Sequence, residues 1–219
     1  MKGRINIICL FILVGCLTGI GLHTAQQRPK LLSDEKNAND RVISFFRKDY
    51  KELLRGMEEE ALDSPLIVEV VGTGKKKYVQ GELLQEVSFV RVIRGEKNRK
   101  QIHEHMFLMG NGWSETEKQI STGFTNYLQN GEHYIVFAQD IYETMGKDNS
   151  VLKANMDLIG LRCINISTDH STVCKTKKKH AKYGEVRDSE FFCNDEETLQ
   201  RMQQYKYNVM KKLGVEPLW

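Results

Sequence analysis

The residues able to do chemistry are few and scattered. His103-Glu104-His105 is the tightest group. On a strand, positions i and i+2 share a face, so His103 and His105 would reach one metal ion together while Glu104 points away. A closed zinc site takes four ligands, and only His133 falls on another expected strand. The pair is therefore read as two polar side chains at a half-solvated edge, and no metal is expected. Cys163 or Cys193 with His170 or His180 supplies the residue types of a thiol–imidazole pair, but no spacing that favours one. The sequence contains no G-x-S-x-G, no H-E-x-x-H, no C-x-x-C and no phosphate-cradling glycine loop. Glu58-Glu59-Glu60 reads as a solvated helix end. No catalytic residue and no cofactor is expected.

Binding chemistry is better represented. Residues 110–131 form a long Gly-rich connection carrying Trp113, Phe124 and Tyr127. Long loops with aromatic anchors are common binding surfaces, whereas the same rings folded inward would plug the end of a barrel. Lys175–Lys182 places five lysines in eight residues. Such a run suits anionic headgroups or cell-wall polymers, or equally a solvated strand edge protected from aggregation.

The cysteines raise a separate question. Cys163 and Cys174 are equidistant from the Thr168–Asp169 bond, so a two-residue hairpin turn there would set them opposite each other and allow a disulfide. A turn one residue later would pair Cys163 with Thr176 and send Cys174 to the other face. Cys193 is the competing partner or the remaining thiol.

These residues need elements to position them, and the first stretch says where. Met-Lys-Gly-Arg is followed by eighteen uncharged residues, Ile5 to Leu22. As a helix that run is about 27 Å long, close to a hydrocarbon core, and the basic start predicts that everything after Leu22 is exported. Leu13-Val14-Gly15-Cys16 looks like the lipobox of bacterial lipoproteins, which implies acylation of Cys16. Gly19-Ile20-Gly21 offers a conventional cleavage site instead, and an uncleaved anchor is the third outcome. Without Lys2 and Arg4 the remainder carries 30 basic and 29 acidic residues, which argues against a nucleic-acid partner.

Residues 23–40 read as a polar tether, and 41–219 as a single exported domain. Val42, Phe46, Tyr50, Leu53, Leu54 and Met57 recur at helical spacing, predicting an amphipathic helix from about Asn39 to Ala61 that Asp63-Ser64-Pro65 ends. About six strands follow: Leu66–Val71, stopped by Gly72 and Gly74; Leu84–Ile93; Gln101–Met109; Glu132–Ile141; Asp157–Ile166; and Thr172–Lys178. Glu132–Ile141 is apolar on both alternating faces, as in a small barrel flanked by helices. Asn194 caps a closing helix at about 195–213 that ends at Gly214. The fold class is α+β: a small antiparallel barrel at about 65–180, OB-like, with a helix before it and a helix after it.

The layout of residues 59–141, with Ser64-Pro65-Leu66-Ile67-Val68-Glu69-Val70, Val92-Ile93-Arg94-Gly95-Glu96-Lys97 and Gly123-Phe124-Thr125-Asn126-Tyr127-Leu128-Gln129-Asn130-Gly131-Glu132-His133-Tyr134, resembles uncharacterised exported or lipid-anchored proteins of Firmicute bacteria. Tyr183-Gly184-Glu185-Val186 and Ser189-Glu190-Phe191-Phe192 before the last helix are similar to that group too. The barrel pattern resembles netrin-type modules and tissue inhibitors of metalloproteinases in architecture. Those inhibitors chelate zinc through an N-terminal cysteine, which the segment before this barrel lacks, so their mechanism does not carry over. The expectation is a membrane-tethered extracytoplasmic protein with a non-enzymatic binding role, its partner an envelope protein or cell-wall polymer. The alternatives are a secreted hydrolase-type enzyme and an inhibitor or immunity-type partner.

Overall fold

A computed structural model describes residues 38–45, 51–79, 82–96, 99–110, 112–116, 118–143, 150–155, 157–158, 161–169 and 178–219. Residues 1–37, with Cys16 and most of the expected tether, and residues 170–177, with Cys174 and the first three residues of the lysine run, lie outside them. Among the described residues no helix is long and apolar enough to cross a membrane.

Among the described residues ten strands and two α-helices make a mixed α+β unit. The strands are β1 (Val42–Ser44), β2 (Leu66–Val79), β3 (Glu82–Gly95), β4 (His105–Met109), β5 (Ser114–Glu115), β6 (Ile120–Ser121), β7 (His133–Glu143), β8 (Ser150–Ala154), β9 (Cys163–Asn165) and β10 (His180–Lys182). The helices are α1 (Lys51–Leu62) and α2 (Glu196–Leu213). Strand pairing runs β2-β3-β4-β8-β7, and β7 pairs back onto β2, so five strands close a circuit. All of these pairs are antiparallel except β4–β8, which is parallel and corrects the all-antiparallel expectation. A parallel pair needs a long crossover, and the chain from β4 to β8 supplies it through β5, β6 and β7.

β7 is the hub. Its first half lies between β2 and β9, while its second half exchanges β9 for β8. Tyr134, Val136 and Ala138 point into the barrel with Leu66, Val68 and Val70 of β2. Ile135 and Phe137 point outward onto Met57 and Ala61 of α1 and Leu199, Met202 and Val209 of α2. Two buried faces explain the continuous apolar run. A register shift between Ala138 and Asp140 reverses the alternation, so Ile141 joins the interior rather than the helix face.

Other elements differ from the sequence reading. Of the helix expected from Asn39, Lys51–Leu62 is helical and Val42–Ser44 is a strand on β10; residues 46–50 lie outside the description. β2 is not stopped by Gly72 but continues to Val79 with a shift in register between Gly72 and Lys76. A Cβ at Gly72 would meet the Gln129 carbonyl at 2.4 Å, so this glycine admits a close backbone approach inside the strand. α2 is capped by Asp195, whose carboxylate accepts from the Thr198 amide at 2.9 Å; Asn194 instead donates to the Lys178 carbonyl. Gly214, at φ 65°, caps the other end as expected.

Candidate functional site

Where β8 leaves β7, the short β9 takes its place, and a pocket of about 370 Å³ opens beside it. Three segments form its walls: 125–132 leading into β7, the β7–β9 pair, and 187–190 before α2. Asn126 holds two walls together. Its backbone N–H donates to the Glu190 carbonyl at 2.9 Å, and its side-chain amide donates to the carbonyls of Arg187 (2.5 Å) and Ser189 (2.9 Å). Its Oδ1 accepts from the Tyr183 hydroxyl at 3.0 Å and from the Tyr127 amide at 2.8 Å. Every polar atom of that side chain is therefore committed to shaping the wall.

The floor is a second network. The Tyr134 hydroxyl accepts from the Gln129 amide at 2.8 Å and donates to Glu132 Oε2 at 3.0 Å. Asn165 Nδ2 donates to the same Glu132 oxygen at 2.5 Å. Burial raises the Tyr134 phenol well above its ordinary range, so it stays a donor. The Asn165 backbone N–H, which points away from β7, donates to Glu190 Oε1 at 3.0 Å. A carboxylate thus occupies the position of a strand partner on the outer edge of β9. Glu190 Oε2 accepts from Lys206 Nζ of α2 at 2.7 Å, and the same ammonium donates to the Thr168 carbonyl at 3.0 Å. Lys206 is 0% exposed and Glu190 7%. Cys163 lines the pocket with a free thiol that burial pushes up to about 12; Glu190 adds to the rise and Arg162 opposes it. A thiol so protonated is a poor nucleophile.

Of the residues singled out from sequence, Tyr127 and Cys163 line this pocket, and the other described ones fall elsewhere. Trp113 and Tyr127 are 1% and 4% exposed and belong to the barrel interior, and Phe124 is half-buried against the helix-side core. Trp113 acts as part of the plug rather than as a surface anchor, because Gly110 leaves room for its indole; a Cβ there would sit 2.1 Å from the ring. Beside them Glu115 is clamped by Arg41 and by the hydroxyls of Tyr78 and Tyr127, the last at 2.8 Å. That cluster ties the residue preceding β1 to the barrel end.

His105 is exposed, with Nδ1 3.1 Å from Ser88 Oγ, and His103 is half-buried. His133 turns to Glu69, with Nδ1 2.8 Å from Oε1, while Arg91 Nε donates to the other oxygen at 2.7 Å. No group of three metal-ligating side chains occurs among the described residues. Cys193 is buried and its Sγ donates to the Phe191 carbonyl at 4.0 Å. Cys163 carries a free thiol, so the Cys163–Cys174 bridge considered from the sequence is not formed in this structure; Cys174 itself lies outside the described residues. Residues 125–130 of the long connection singled out for binding supply one wall of the pocket, whereas Asn165 and Glu190 went unread because they carry no spacing signal relative to it. The Asn130-Gly131 turn, which fixes the entry of β7, was a further local clue. The chain matches no protein-family model and no curated protein.

Proposed function

We propose that this chain is a membrane-tethered extracytoplasmic protein with a non-enzymatic binding role at the bacterial cell surface. Its membrane element is the uncharged Ile5–Leu22 segment, with lipidation at Cys16 as one route of attachment. Its working part is an OB-like barrel. The five-strand circuit, in which the third and fifth strands pair in parallel and the fourth closes on the first, supports that assignment.

The observation that carries the binding role is the pocket beside β9. Its walls are fixed by hydrogen bonds that exist before any ligand arrives, and a preformed polar recess avoids the ordering cost of binding. A binding role also agrees with the protonated Cys163 thiol and with a His133 imidazole anchored to Glu69. The test is made in intact protoplasts with a photo-crosslinking amino acid at the exposed rim position Asn130. We expect added protease to digest the chain beyond Leu22, light to produce a crosslinked species, and Cys16→Ser to abolish fatty-acid labelling if the anchor is a lipid. Full protection from protease refutes the topology, and an Asn130 probe that captures nothing refutes the binding role.

A further inference from the structure

We infer that the pocket beside β9 takes a neutral saccharide, about one or two sugar rings of a surface glycan; this rests on the reading of the chain as a surface binding module. Every lining residue except Cys163 carries a polar side chain. The wall atoms of Asn126, Asn165 and Glu190 are already paired within the protein, so the groups that a wholly apolar ligand would dehydrate are those of the rim, Asn130, Arg187 and Asp188. That favours a ligand that carries both carbon and hydroxyl surface.

Charge narrows the class. The carboxylates of Glu132, Asp188 and Glu190 face Arg187 at the rim and Lys206 behind the wall. Arg187 and Asp188 approach to 3.7 Å, and Lys206 holds Glu190. Opposite charges are interleaved, so the recess presents no strong field for a phosphate or for a polycation. Hydrogen-bonding character narrows it further. The mouth offers side-chain amides (Gln129, Asn130), a donor-only guanidinium (Arg187) and an acceptor-only carboxylate (Asp188) within one opening. An ammonium donates only, and a phosphate mainly accepts. A sugar hydroxyl does both, and a ring bearing several of them can match mixed walls at once. Because Asn126 and Asn165 are locked by protein contacts, the geometry of those walls does not have to be organised by the ligand.

The experiment uses the full chain in a zwitterionic detergent without a sugar headgroup. Titration calorimetry and saturation-transfer NMR are run with N,N'-diacetylchitobiose, spermidine and inorganic phosphate as probes. The disaccharide should bind saturably. Asp188→Ala and Glu132→Gln should each weaken it about tenfold, the loss of one hydrogen bond to a charged group. The exposed Asp188→Ala variant should keep its melting temperature, so its effect is not a folding defect. No saturable disaccharide binding, or binding indifferent to both variants, overturns the assignment. Spermidine or phosphate binding in its place, lost in the same variants, overturns the ligand class. An Asn130 probe that crosslinks to a protein while the disaccharide fails to bind keeps the surface-binding role and removes the saccharide. A disaccharide-binding chain protected from protease does the reverse.

Discussion

Lys206 offers the sharpest test of how the pocket wall is held. Replacing it with Met preserves the length and apolar stem of the side chain but removes the ammonium from a fully buried position. Two hydrogen bonds disappear, those to Glu190 Oε2 at 2.7 Å and to the Thr168 carbonyl at 3.0 Å, along with the cation seated 4.7 Å from the Trp219 ring centroid. Glu190 is then left as a buried carboxylate without its ammonium. Removing one partner of such a pair costs about 3–5 kcal/mol. For a unit of this size each kcal/mol lowers the melting temperature by about 2–4 °C, so Lys206→Met should melt about 10 °C early. Glu190→Gln alone strands the ammonium and should cost a similar amount. The double variant leaves no buried charge and should lose less than the two single losses added together. Urea denaturation of the four proteins gives the coupling energy directly. A coupling below about 1 kcal/mol would falsify the claim that this pair holds the wall.

Two further outcomes follow from other residues. Trp113→Ala should cost about 3–5 kcal/mol by urea denaturation, because the ring is core; a loss within experimental error would return Trp113 to the surface. Burial pushes the Glu69 carboxyl up, but the hydrogen bonds from His133 and Arg91 and their charges outweigh it, so its folded value lies below the ordinary 4.5. Its contribution is present above pH 4.5 and is lost as pH falls through the folded value, so Glu69→Gln should flatten the acid limb of a pH–stability curve; an unchanged limb refutes this.

Local pattern revealed those elements whose cause is local. Tyr134 to Phe137 announced a strand covered on both faces, and the stripe Leu199, Met202, Val209 with Gly214 announced α2. Gly72 misled because a glycine in a strand has two readings. It can end the strand, or it can let another backbone approach, and only the position of the Gln129 carbonyl decides. β8 went unread because Ser-Val-Leu-Lys-Ala is short, and its parallel pairing with β4 leaves no turn signal between the two. The loop aromatics Trp113 and Tyr127 had two opposite uses, and the space left at Gly110 settled the choice for Trp113. The way the pocket's walls come together was illegible for a different reason. Those walls depend on contacts such as Asn126 with Ser189 and Asn165 with Glu190, which are fixed by tertiary placement rather than by periodicity.

The closing of β2 onto β7 has a consequence in time. Val71 must wait for His133, about sixty residues further along the chain, before its open side is covered. At a synthesis rate of about 5–20 residues per second that is an interval of about 3–12 seconds. Throughout it the β2–β3 hairpin presents Leu66 to Val71, an apolar run with unpaired backbone, to whatever surrounds it. Folding is therefore governed by distant pairings and belongs to the slow, millisecond-to-second class. The nascent chain is most exposed to aggregation before β7 emerges, so truncations ending between Gly95 and Glu132 should be the ones that need a holdase to remain in solution.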